Sequence, residues 1–139
     1  MDVFLSADAQ RTLQALSVLS AAKSASGLLL GHKRAGRFFV EAAFPAPAGF
    51  RPGPGNFFVL NETFQGRIIG FFLFDGGPAA RRAYLQPLAC GRCLVAVTRR
   101  KSRDIACRAF VVDYDGRFRL DPINVLLDKP TTPPIKKAR

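Results

Sequence analysis

Apolar residues recur at spacings of three and four at Ala9, Leu13, Leu16 and Leu19, with Gln10, Gln14 and Ser17 on another side. This pattern predicts an amphipathic helix over 7–22 packed on a sheet. Val3, Phe4 and Leu5 form a short apolar opening before it, and Ser6 supplies a side-chain oxygen for the unpaired amides of the helix start. Beyond the helix, residues 27–31 read as a buried strand, 33–36 as a turn and 37–43 as a returning strand. The aromatic and β-branched runs 57–60 and 67–74 predict two further strands joined by a turn at 61–66. Residues 94–98, 105–113 and 117–120 complete a meander whose last tight turn is Tyr114-Asp115-Gly116.

Proline and glycine punctuate these runs. Pro45, Pro47, Gly49, Pro52, Gly53, Pro54 and Gly55 predict a mobile loop, and Gly76-Gly77-Pro78 opens a short helix over 78–85 with proline in its first turn. The whole reads as an α+β domain over 1–127: a curved, mostly antiparallel sheet with one long N-terminal helix and a short second one. Residues 128–139, with Pro130, Pro133, Pro134 and the ending Lys136-Lys137-Ala138-Arg139, read as a basic, Pro-rich, disordered tail.

At 139 residues and 48% hydrophobic content the chain can bury one core and not two. No apolar run reaches the roughly 18 residues that span a bilayer, and the start lacks the basic region of a signal peptide. Cytoplasmic localisation without a membrane partner is the expectation. Three cysteines argue for reduced thiols over a disulfide framework. The net charge of +11 is uneven, because residues 67–139 hold 15 Lys and Arg against 6 acids. Such asymmetry points to an acidic or polyanionic partner.

Two strings carry a family resemblance. Gly27-Leu28-Leu29-Leu30-Gly31 and Arg67-Ile68-Ile69-Gly70-Phe71-Phe72-Leu73-Phe74-Asp75, in this order of elements, resemble the framework of the JAMM (JAB/MPN) isopeptidases. The match covers most of 1–127 and implies an MPN-like fold. The family's general-base glutamate would fall at Ser24, its histidines at Leu73 and Asp75, and its serine and aspartate at Ala83 and Gln86. None of the five keeps the family's residue. A catalytic zinc needs three protein ligands and an open position, and a base beside its water. The resemblance therefore implies an inactive member, with no metal, no cofactor and no catalytic residue.

Other constellations have plainer readings. Cys90-Gly91-Arg92-Cys93 has the spacing of half a zinc site or a redox pair, but only Cys107 and His32 remain to complete it, so free thiols in or near a core are the simpler reading. Arg99-Arg100-Lys101-Ser102-Arg103 forms a basic hairpin tip that either grips phosphates or stays solvated. Arg81 and Arg82 offer an acidic peptide or a carboxylate terminus two charges, and His32 reads as a turn histidine. The pairs Phe38-Phe39, Phe57-Phe58 and Phe71-Phe72 each send one ring to either face of a strand, so that an uncovered ring marks an interface.

The expected function is a non-catalytic protein-binding or scaffolding module, as a homo-oligomer or with a protein partner. The alternative is a basic domain that binds nucleic acid or another polyanion through Arg99, Arg100, Lys101, Arg103 and the tail. A hydrolase with altered chemistry around Asp75, Cys90 and Cys93 is a lesser one.

Overall fold

The strand-forming runs do not end in an open sheet. The computed structural model describes residues 1–19, 26–46, 54–75, 77–100 and 104–128. Among these, the chain order is β1 (Asp2–Leu5), α1 (Ala7–Leu19), β2 (Ser26–Arg34), β3 (Arg37–Pro45), α2 (Pro54–Thr63), β4 (Ile68–Phe74), α3 (Pro78–Arg82), a 3-10 turn (Pro87–Ala89), β5 (Cys93–Arg99), β6 (Ile105–Tyr114) and β7 (Phe118–Leu127). The strands close into a barrel in the spatial order β1-β3-β2-β4-β5-β6-β7. Pairing is mixed: β1/β3, β1/β7 and β4/β5 are parallel, and the other pairs are antiparallel.

This closed barrel corrects the expected α+β MPN-like domain with its curved, mostly antiparallel sheet. The element responsible is β1, which looks like a mere apolar prelude in the sequence. Its four residues lie between Arg37–Val40 of β3 and Asn124–Leu127 of β7, so the two edges of the sheet are joined. Val3 and Leu5 alternate into the interior and are fully buried. Asp2 fixes the register by accepting two hydrogen bonds from Arg37, at 2.6 and 3.1 Å, and these hold its carboxyl below the usual range.

Two apolar clusters occupy the two faces of the wall. The interior draws on all seven strands, including Val3, Leu29, Phe38, Phe72, Val95, Val111 and the half-buried Val125, and α1 adds Ala9 and Leu13 to it. The outer cluster joins Leu28, Phe71, Leu73, Leu94 and Val112 to residues of α2 and α3. Strand β4 is therefore buried along its whole length. Such two-sided burial explains its unbroken run of apolar residues, which strict alternation would not produce.

Bulges adjust which side chains point inward. Leu29 pairs with Gly70 but Leu30 with Ile68, so β4 has an extra residue there. Ile69 then faces the interior, while Phe71 faces out and Phe72 in. Gly70 is required at this point, since a Cβ would strike the Cys93 sulfur and lie 2.6 Å from the Cys93 carbonyl oxygen.

Local signals fix several other features. The Ser6 hydroxyl accepts from the Ala9 amide at 3.0 Å, as a helix cap should, and α1 extends to Leu19; residues 20–22 lie outside the described region. Ala35 and Gly36, both with positive φ, make the two-residue turn between β2 and β3. The segment expected as a strand at 57–60 is instead the helix α2, because Phe57, Leu60 and Phe64, spaced three and four apart, dock together on the outer cluster. Of the loop expected over 45–55, Pro45 instead ends β3 and Pro54 and Gly55 begin α2, while 47–53 lie outside the described residues, as do 129–139 of the tail. No helix among the described residues is long and apolar enough to cross a membrane.

Candidate functional site

Of the five positions that the family resemblance singled out, four are among the described residues. Leu73 is buried in the outer cluster, where Ala83 packs, and the Gln86 side-chain Nε2 donates to the Ala83 carbonyl at 2.7 Å. Ser24 lies outside the described residues. Asp75, just beyond β4, adopts a positive φ of 49° and is engaged by a different group. Its amide donates to Val97 O at 2.7 Å, and its carboxylate accepts from the Arg99 amide at 3.1 Å and pairs with the Arg99 guanidinium.

Arg99 thus belongs to a structural corner. Its Nε donates to Ser17 O at 3.2 Å and its guanidinium lies 4.7 Å from the Phe74 ring centre, which ties the ends of β4 and β5 to the end of α1. Arg100 is exposed, with its amide bonded to Asp104 O at 2.8 Å. Lys101 and Arg103 lie outside the described residues, so of the basic tip only Arg99 and Arg100 are described.

The thiols have separate surroundings. Cys90 is exposed, Cys93 is sealed in the interior, and Cys107 is half-buried. Burial pushes the Cys93 thiol up to about 12 and the Cys107 thiol up to about 11, so both stay protonated and unreactive near neutrality. Among the described residues no three His, Cys, Asp or Glu gather as a metal site would require. His32 is a strand residue of β2, not a turn residue; it lies 3.1 Å from the Glu41 carboxylate and stacks on Phe39 with ring centres 5.0 Å apart.

Two surface arrangements lie apart from these positions. The first is the outward side of α2, where Phe58 is 67% and Val59 63% exposed. Phe44 of β3, 45% exposed, adjoins the helix through an edge-to-face contact with Phe64 at 5.0 Å. The inward side of α2 is firmly seated. Arg92 reaches under it, donating to Ile68 O at 2.9 Å and Leu88 O at 2.8 Å, with its guanidinium 4.7 Å from the Phe57 ring centre.

The second arrangement brings the sequence-predicted Arg81, on α3, together with Arg108, on β6. Each guanidinium lies 5.4 Å from the ring centre of Phe110. Arg82 beside them is exposed. Sequence reasoning passed over Arg108, which follows a strand alternation with no charge run to mark it. It likewise missed the helix α2, whose signal was the spacing of Phe57, Leu60 and Phe64 on its inward side, and with it the exposure of Phe58 and Val59.

Comparison with known proteins gives a fold and no activity. No family model matches the chain, and no curated protein matches it. Its structure is similar to the solution structure of protein DSY2949 from Desulfitobacterium hafniense, with a TM-score of 0.69 and 16% identity over 92% of this chain and 94% of that one. At this identity the likeness concerns the fold alone. The barrel and this neighbour together overturn the JAMM (JAB/MPN) resemblance.

Proposed function

We propose that this protein is a non-catalytic binding module that self-associates through the outward side of α2. The observation that carries this reading is a helix apolar on both sides: Phe57 and Leu60 pack inward while Phe58 and Val59 face solvent. A helix of that kind is stable when its second face is covered as well. A second copy is the occupant that charge favours. The chain carries +11, so two copies repel over most of their surface, yet residues 54–63 contain a single charged residue, Glu62. An apolar, nearly neutral stripe is complementary to its own image across a two-fold axis. The three unpaired thiols suit the reducing cytoplasm as its compartment.

Sedimentation equilibrium over a concentration series tests the reading. Wild-type protein is expected to dimerise at micromolar concentration, and Phe58→Asp or Val59→Asp to shift the equilibrium to monomer by roughly 100-fold, since a charge must be desolvated in the contact. A wild-type protein still monomeric at about 1 mM would refute it.

A further inference from the structure

We propose that Arg81 and Arg108, converging on Phe110, form a receptor for a carboxylate carried on an acidic peptide. The chain has 21 Lys and Arg against 10 Asp and Glu, so some cations must lack a carboxylate. Where the carboxylates go is selective. Asp2 pairs with Arg37, Asp8 with Arg11, Glu41 with Arg67, Asp75 with Arg99, and Asp113, Asp115 and Asp121 all with Arg119. Among the described residues, no carboxylate pairs with Arg81 or Arg108, although both are held at one ring.

Their placement is built by the fold. Arg108 stands opposite Ala96 in the β5/β6 register, Ala96 stands opposite Leu73 in the β4/β5 register, and α3 brings Arg81 to the same face. Two guanidiniums around one aromatic ring concentrate positive potential, and the planar fork of each matches a carboxylate with two hydrogen bonds. The ring itself selects the class of ligand. Phe110 is only 7% exposed and lies against the two guanidiniums, so it offers no open face on which a nucleobase could stack. A carboxylate-bearing peptide uses what is accessible; a single-stranded nucleic acid would lack its aromatic platform. The site is separate from the outward side of α2 and does not depend on self-association.

Fluorescence anisotropy with a labelled hexaglutamate peptide at low salt tests it, with a labelled oligothymidylate as comparison. Arg81→Gln with Arg108→Gln is expected to weaken hexaglutamate binding roughly tenfold or more, whereas Arg11→Gln with Arg67→Gln, which removes the same charge from arginines already paired, changes it less than about twofold. Equal losses in the two double variants, or no binding by wild type, would overturn the proposal, as would tighter oligothymidylate binding lost through the same two residues. If the glutamine pair does not fold by circular dichroism, Arg81→Lys with Arg108→Lys decides: it keeps the charge and removes the fork, and unchanged hexaglutamate binding would overturn the site.

Discussion

Two buried proton donors, Tyr84 and Cys93, and the half-buried Cys107 bear on how the fold responds to alkali. Burial pushes Tyr84 up to about 12, partly offset by a hydrogen bond between its side chain and Ser26, and burial likewise raises Cys93 to about 12 and Cys107 to about 11. In the unfolded chain the thiols titrate near 9 and the phenol near 10. Between those values and the folded ones, the folded state keeps protons that the unfolded state has released, so stability falls as pH rises. Their stabilising contribution is complete below about pH 9 and is lost on the way to about pH 12. Urea denaturation at a series of pH values should show this decline, and Cys93→Ala with Cys107→Ala should flatten it. An unchanged slope in that variant would mean that other groups drive it. At neutral pH, iodoacetamide should modify Cys90 well before the other two.

At the scale of elements, α2 depends on a residue outside itself. Arg92 is half-buried beneath Phe57, and burial lowers its pKa, while Ile68 O and Leu88 O accept its hydrogen bonds. Arg92→Ala would leave both carbonyls without that donor and remove the support for Phe57. The expected cost is about 2 to 3 kcal/mol, measured by chemical denaturation, with faster amide exchange in α2 before the barrel strands are affected. The same helix shows where sequence was legible. Helix α1 and strand β4 could be read because their patterns are local: Ala9 and Leu13 repeat at helical spacing, and residues 68–74 are apolar throughout. Helix α2 was concealed because Phe57-Phe58-Val59-Leu60 has strand propensity, and its docking onto the outer cluster decided otherwise. The site was less legible still. Asp75 looked available until the chain brought Arg99 to it, and Arg108 acquired significance only when the register placed it beside Phe110.

For the molecule as a whole, closure rests on contacts between the first strand and the last. Nothing in residues 2–5 announces that they will lie parallel to both β3 and β7, since that depends on partners distant in sequence. Pairing between segments so far apart in sequence carries a high loop-closure cost and slows folding. β7, with 10 residues, is longer than the 4-residue β1 that closes on it. β1 covers Asn124–Leu127, while among the described residues no strand pairs with 118–123 on that side of β7. This stretch is a potential template for runaway growth of chains, strand upon strand. Pro122, exposed and without an amide hydrogen, denies an incoming strand one donor, and Arg119 with its three aspartates keeps the margin charged and hydrated. Pro122→Val should therefore raise light scattering on prolonged incubation while leaving the unfolding midpoint nearly unchanged. A variant that stayed as clear as wild type would show that the proline is dispensable there. By this account the small barrel remains a discrete particle partly because one residue near its last turn cannot donate a hydrogen bond.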